Sequence, residues 1–567
     1  MYGGNRLVKW TSMAVLIALL IVAGIAIRQL PGIELQNSVH TWLSPDAPEA
    51  RVLEWCRQRF PEKDQVLVSW NGSSLDDPRV DRFAEALTGL HDESGVRTGG
   101  LACVHEVITP GDLLERMTRQ DVTESEAVER LRGTLVGTVD GDRSSGAAPV
   151  AILVTLSDSG SADSRASLMA IRDVAARCGI PPQELHLGGD SVTSSALDFE
   201  VLNATWNATD PLHRPPVFLL SGLLGAVLAI GVLRSVKLGL MVLICAYITA
   251  LVGTALVPFF GHTMNMVVMV MPTLLIVLAL SAAIHLANYW KHAAASGMDH
   301  PIRQAIRMAW LPCLLAAVTT GIGLMSLSIS SLEPIRDFGI FASVGTLISL
   351  VVVMIGLPAM MVVQPVVPPA KSEVDHPAWR WLGHFLSRHC GKVASFSLLL
   401  FIVASSGLHW FRTEVKVARY FPEGSQLATD YAFLEENLGG VVPVEIVVSF
   451  NEESSGTLGF LDRMELIRSV EDQVRLHPEI SGALSLADFQ PEATPLPDDA
   501  GFLARTRRTV RARAVESRIK QNEATEVSTF LVADNVDGFE GWVPGAPLDE
   551  VWRIRAQAYV TSPTNHN

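Results

Sequence analysis

The sequence predicts an α-helical polytopic membrane protein of about seven transmembrane helices that also carries two soluble α+β segments. Three observations lead there. The 567 residues are 49% hydrophobic and only 18% charged, with a mean hydropathy of +0.29, which is too apolar for a soluble chain of this length. Apolar runs of roughly 20 residues, the length that crosses a ~30 Å hydrocarbon core, recur along it. Two long stretches of mixed composition show strand-like and helix-like patterns in alternation. The formal net charge is −15, yet the flanks of the apolar runs are basic. The acidic residues therefore sit mainly in the soluble segments, which argues against a nucleic-acid partner.

Residues 1–10 carry Arg6 and Lys9 and read as a cytoplasmic N-terminus; residues 11–27 form the first span. The other reading, a cleaved signal peptide, lacks a clear A-x-A site before Arg28. Residues 28–215 form the first soluble segment. Strand patterns fall at Gln65–Trp70, Leu101–Thr109, Val150–Leu156 and Leu185–Leu187, with helical stretches at Pro78–Asp92, Asp112–Met117, Glu124–Leu135 and Ala162–Arg177. This alternation suggests ferredoxin-like βαβ units.

Residues 216–364 hold five spans, at about Val217–Leu233, Leu238–Val257, Met266–Asn288, Leu311–Leu327 and Ile340–Val363. The last two form a hairpin around Ser330-Ser331-Leu332-Glu333-Pro334. Small residues are dense in it: Thr319-Thr320-Gly321-Ile322-Gly323, then Gly339, Ser343 and Gly345. In lipid, helices associate largely through close backbone approach at such residues. Residues 365–392 form a linker whose Trp379, Trp381, Arg380, Arg388 and Lys392 suit an amphipathic helix on the cytoplasmic membrane surface. Residues 393–411 are the seventh span, and residues 412–567 the second soluble segment.

Orientation follows from the short loops. Arg6, Lys9, Arg234, Lys237, Lys291, Arg303, Arg307, Lys371, Arg380, Arg388 and Lys392 share one side if the spans alternate. Cytoplasmic loops carry the excess of Lys and Arg. Both soluble segments are then extracytoplasmic, in a cell (inner) membrane. Of the six cysteines, Cys56, Cys103 and Cys178 allow one external disulfide, whereas Cys245, Cys313 and Cys390 lie in or beside spans as packing residues.

The two soluble segments resemble each other. Ile33-Glu34-Leu35 matches Thr413-Glu414-Val415, and Val66-Leu67-Val68-Ser69-Trp70-Asn71 matches Ile446-Val447-Val448-Ser449-Phe450-Asn451; both pairs lie 380 positions apart. Such a duplication is expected to place the second segment's return to the membrane near position 595, at about the same spacing. The chain is then expected to end inside an incomplete second domain, with a further bundle supplied by a longer polypeptide or by another chain.

Several motifs carry a resemblance to a known family. They are Pro334-Ile335-Arg336-Asp337-Phe338-Gly339 with Gly345 and Leu357-Pro358, Thr319-Thr320-Gly321-Ile322-Gly323, and Ile284-His285-Leu286-Ala287-Asn288. With the order of one span, a large domain and further spans, the chain resembles the RND superfamily, in particular its MMPL-like and sterol-sensing-domain-like members. The resemblance implies extracytoplasmic porter domains and ion-gradient-driven export of lipids or other hydrophobic compounds, with a second half-transporter or homo-oligomer as partner. A non-transporting lipid sensor or membrane scaffold is the alternative. In that family the fourth span usually carries an acid before Ala-Ile-His-Leu, but here Ser281 and Ala282 hold the aligned positions, and Met266–Asn288 contains no Asp or Glu.

Ser281, His285, Asn288 and His292 recur at one helical face of the fourth span. As proton or substrate groups they are expected to line the bundle interior; the other reading has His285 hydrogen-bonding a neighbouring helix. Arg336 and Asp337 at the outer mouth are candidates for gating or coupling, or for a helix cap. Thr319 and Thr320 are candidates for coupling or for packing. There is no P-loop and no other enzyme motif, and no Cys/His metal spacing. Asp140-Gly141-Asp142 reads as a turn. No catalytic residue, metal or cofactor is expected.

Overall fold

The computed structural model describes residues 6–30, 35, 37, 48–60, 64–91, 97–137, 148–206, 216–367, 377–410, 421, 424–451, 457–492, 502–521, 530–536 and 548–559. The repeat match Ile33-Glu34 with Thr413-Glu414-Val415, the turn Asp140-Gly141-Asp142 and Lys371 lie outside them, and so do the side chains of Trp379 and Arg380.

Helix α1 (Arg6–Gln29) is apolar between Lys9 and Arg28. The first lobe follows as α2 (Pro48–Arg59), β1 (Gln65–Trp70), α3 (Pro78–Thr88), β2 (Val104–Ile108), α4 (Pro110–Arg119), α5 (Glu124–Arg130), β3 (Ile152–Leu156), α6 (Ser164–Arg177) and β4 (Leu185–Gly188). Its helix starts are encoded locally. Asp77 accepts a hydrogen bond from the Arg79 amide ahead of Pro78, and Thr109 with Asp112 forms a capping box at α4.

Two helices stop earlier than their patterns suggest. Helix α3 ends at Thr88 rather than near Asp92, because Gly89 takes a φ of +75° and a Cβ there would stand 2.6 Å from the Gly99 carbonyl oxygen. The chain turns instead into a short ribbon, Leu90–His91 with Arg97–Thr98. Helix α5 ends at Arg130 rather than Leu135, and the chain then turns through Gly133, whose φ is +73°. The sheet runs β2-β3-β1-β4 with every neighbour antiparallel. Val66, Val68 and Trp70 of β1 are buried within it.

Helix α7 (Asp190–Trp206) leads to α8 (Val217–Leu233), α9 (Val236–Phe259), α10 (Met271–Ala295), α11 (Pro301–Met325) and α12 (Glu333–Val363). After them come α13 (Pro377–Arg388) and α14 (Cys390–Ser406). Six helical stretches among the described residues are long and apolar enough to cross a membrane: Arg6–Gln29, Val236–Phe259, Val268–Ala295, Pro301–Ile329, Glu333–Val363 and Cys390–Trp410. Helix α8 is equally apolar but only 17 residues long, at the lower limit for a span.

Helix α12 is the axis of this bundle and packs against α1, α9, α10 and α11. The small residues permit that. A Cβ on Gly339 would stand 2.8 Å from the Leu324 carbonyl oxygen and 2.8 Å from Leu327 Cβ. One on Gly345 would stand 2.8 Å from both methyls of Leu275. Helix α14, by contrast, buries none of its residues.

The second lobe consists of α15 (Gln426–Asn437), β5 (Val442–Asn451), α16 (Phe460–Arg475), β6 (Ile480–Ser485), α17 (Phe502–Gln521), β7 (Leu531–Val536) and β8 (Leu548–Ala558). Strand β8 pairs with β5 along one edge and with β6 and β7 along the other, all antiparallel. The order β6-β8-β5 reproduces β2-β3-β1 of the first lobe, and helices α15 and α16 precede and follow β5 as α2 and α3 do β1.

The chain divides into two compact units, residues 1–44 with 197–415 and residues 45–196 with 416–567. The second unit unites the two lobes around one core, in which Leu67, Met117 and Leu131 join Leu434, Phe489 and Trp552. Within it the Ser481 hydroxyl donates to the Gly133 carbonyl at 2.8 Å, and Arg130 donates to the Gln490 carbonyl at 2.9 Å. Neither Cys103 nor Cys178 is in a disulfide, so the bridge that the three cysteines of the first soluble segment allowed does not form.

Candidate functional site

Helix α10 is the span whose sequence holds the polar stripe. Its opposite face carries Ala279, Ala283, Ala287 and Trp290, all buried. Three alanines at four-residue spacing make a flat ridge that lets α9 and α12 approach closely. That choice of inner face rotates Ser281, His285, Asn288 and His292 outward, and all four are exposed. The expectation that they line the interior of this bundle is therefore corrected: they form a polar stripe on its outside. Val277, on the same helix, is 54% exposed and apolar, so the stripe interrupts an otherwise apolar surface.

The end of the bundle where α12 begins holds a second polar group. The carboxylate of Asp337 is paired with His262, Oδ2 to Nδ1 at 2.9 Å. Asp337 itself is 5% exposed. It does not cap α12, whose N-cap position is Leu332 with no side-chain bond; the aspartate lies a turn further on and reaches across to the loop after α9. Arg336 meets Glu333 at 3.4 Å on its own helix. A further tie lies close in sequence to His262. The Asn37 amide donates to Asp198 Oδ1 at 2.6 Å and its Oδ1 accepts from the Met266 amide at 2.7 Å. Asn37, 1% exposed, thus joins the segment after α1, helix α7 and the loop that enters α10. Burial pushes the Asp198 carboxyl above its ordinary value, against the lowering effect of the Asn37 hydrogen bond.

Thr319 bonds back to the Leu315 carbonyl of its own helix at 2.8 Å and is exposed, whereas Thr320 is half-buried. The inter-helix contact falls on the next residue: Ser343 donates to the Gly321 carbonyl at 2.8 Å. The sequence candidates do not converge on one point. His285 lies roughly 20 Å along α10 from its start near the loop after α9, at 1.5 Å per residue, while Asp337 pairs with His262 in that loop. Sequence reasoning missed His262, Asn37 and Asp198. Each is a single polar residue whose partner is at least 75 positions away, so no local spacing marks it. Among the described residues no group of three His, Cys, Asp or Glu side chains is placed to hold a metal ion.

A family model described as the MMPL family matches residues 42–393. No curated protein matches the chain.

Proposed function

The chain belongs to the MMPL family, which makes it a membrane transporter of RND type, and from that premise we propose that it exports lipids or other hydrophobic compounds under an ion gradient. The observation that carries this reading is the exposed stripe Ser281, His285 and Asn288 on a helix long and apolar enough to span. Polar side chains at membrane depth are costly when they face lipid and are characteristically found against protein or a water-filled path. The stripe is read as the face toward a second bundle, from a half-transporter partner or another copy. Helix α14, which buries none of its residues, is read as a further contact with that bundle. Of Ser281, His285 and Asn288, His285 supplies the imidazole, the side-chain type that serves most readily as a proton shuttle.

Two finer features belong to the same reading. The strand order β2-β3-β1-β4 and its partial repetition in the second lobe support ferredoxin-like porter domains. The basic short loops support a cytoplasmic N-terminus with both lobes outside, in the inner membrane. On this reading Asn37, His262 and Asp337 transmit motion at the outer mouth.

The test is reconstitution into liposomes with a fluorescent hydrophobic probe and an imposed proton gradient. Movement that stops on collapse of the gradient, and that falls in His285→Ala, supports the proposal. The fourth span's lack of an acid favours one rival, a lipid sensor or scaffold. That rival predicts probe binding indifferent to the gradient and no movement.

A further inference from the structure

The two lobes meet at a buried acid–base pair that the transport reading leaves unused. His186 on β4 and Asp430 on α15 belong to different lobes and lie 244 positions apart. His186 Nδ1 stands 3.0 Å from Asp430 Oδ1. Their exposures are 4% and 0%. The imidazole stacks on Phe433 at 3.9 Å between centroids, and Gln426 donates to the same carboxylate oxygen at 2.8 Å. Among the described residues, neither His186 Nε2 nor Asp430 Oδ2 has a hydrogen-bond partner. The lobes fit closely here: a Cβ on Gly188 would stand 2.7 Å from a Leu434 methyl. Beside the pair, the Tyr431 and Thr193 hydroxyls are hydrogen-bonded at 2.5 Å.

We propose that His186 and Asp430 form a proton-operated latch: the seam between the lobes takes up a proton as it closes, so acidification holds the lobes together and alkalinisation loosens them. The argument is one of charge in a dry place. A carboxylate needs a donor, so Nδ1 carries the hydrogen it presents to Asp430. With Nε2 bare, the pair has a net charge of −1, buried. The nearest cation is Arg172 on α6, whose guanidinium is 3.6 Å from Oδ2. One more proton, on Nε2 or on the carboxyl, cancels that charge. Parted lobes give the carboxylate back to water and remove the need for it.

The other ionisable groups on the surrounding elements are of both signs: α6 also carries Arg165, Asp173 and Arg177, α7 carries Asp190, Asp198 and Glu200, and α15 carries Tyr431, Glu435 and Glu436; the cation placed against the carboxylate is Arg172. Strand β1, which sets Ser69 opposite His186, contributes none. Burial pushes the Asp430 carboxyl above its ordinary value, against the lowering effects of His186, Gln426 and Arg172. A carboxyl whose value is raised in the closed seam makes closure more favourable at low pH, and that gain is lost as pH rises through the raised value. The inference rests on the seam alone and stands whether or not the chain transports.

The test is amide hydrogen exchange on the full chain in lipid nanodiscs, corrected for the intrinsic rate, between about pH 6 and about pH 8, a range into which burial can raise a carboxyl. Peptides covering Gln426–Asn437 and Leu185–Gly188 are expected to be severalfold better protected at the lower pH. Asp430→Asn keeps the oxygen that accepts from His186 but cannot titrate; it should hold the acid-level protection at both pH values. Asp430→Ser also lacks the carboxyl and should be equally indifferent to pH, so a folding failure of one variant leaves the other. Thr193→Ala removes the hydroxyl that meets Tyr431 and the Gly189 carbonyl but leaves His186 and Asp430 in place, and should keep the wild-type response. Wild-type protection that does not change with pH, or a response that survives loss of the carboxyl, would overturn the latch.

Discussion

Replacing Gly339 by Ala tests whether α11 and α12 are held by backbone proximity. The new methyl would meet the Leu324 carbonyl oxygen at 2.8 Å, Leu327 Cβ at 2.8 Å and the Ser328 amide nitrogen at 3.1 Å. Two of these are backbone atoms that cannot swing aside. Overpacking of this type costs about 1–3 kcal/mol. Against it, any Gly→Ala change inside a helix gains roughly 0.5–1 kcal/mol. Gly323, in the same hairpin, supplies the control, because a Cβ there has no neighbour within 4 Å. The helix-propensity gain is common to both variants, so their difference isolates the contact. Gly339→Ala should be less stable than Gly323→Ala by about 1–3 kcal/mol, roughly a factor of five to 150 in the folding equilibrium. The assay is reversible unfolding in mixed micelles, followed by helix content. Equal stability of the two variants would refute the close-approach account of the hairpin.

Two other side-chain pairs are open to the same kind of test. His262→Ala removes the partner of an Asp337 that is 5% exposed; the expected loss is about 1–3 kcal/mol, and adding Asp337→Asn should recover much of it in the same unfolding assay. In the second lobe Arg463 grips Glu550 with two bonds, at 2.8 and 2.9 Å, and both are buried. Arg463→Met should cost about 3–5 kcal/mol, because it strands a buried carboxylate, while Arg463→Met with Glu550→Leu should cost far less. Thermal melting reports both, and a pair of variants with equal losses would contradict the charge argument.

The spans were legible because a membrane demands long apolar runs, and the lobes because buried strands are short, β-branched and bounded by turns. The match of Val66–Asn71 with Ile446–Asn451 pointed to two strands in equivalent places, and β1 and β5 hold the same position between a preceding and a following helix. What the sequence hid depends on which faces neighbours require. Ser281, His285 and Asn288 form a stripe on paper, but only the ridge of Ala279, Ala283 and Ala287 decides that they turn outward. Asp337 near a helix start resembles a cap, and its true partner is a lone histidine in a loop. His186 and Asp430 are single residues in unremarkable surroundings until two lobes close over them.

The most direct measurement concerns the stripe on α10. Ser281, His285, Asn288 and Val277 are each replaced by Cys, in a background with the native cysteines changed to Ser, and the reconstituted protein is treated with a membrane-impermeant thiol reagent. A transport face predicts that the stripe positions react, that a hydrophobic probe slows them, and that Val277→Cys stays inert. Reactivity of the stripe no greater than that of Val277→Cys would place these side chains in lipid and contradict the account.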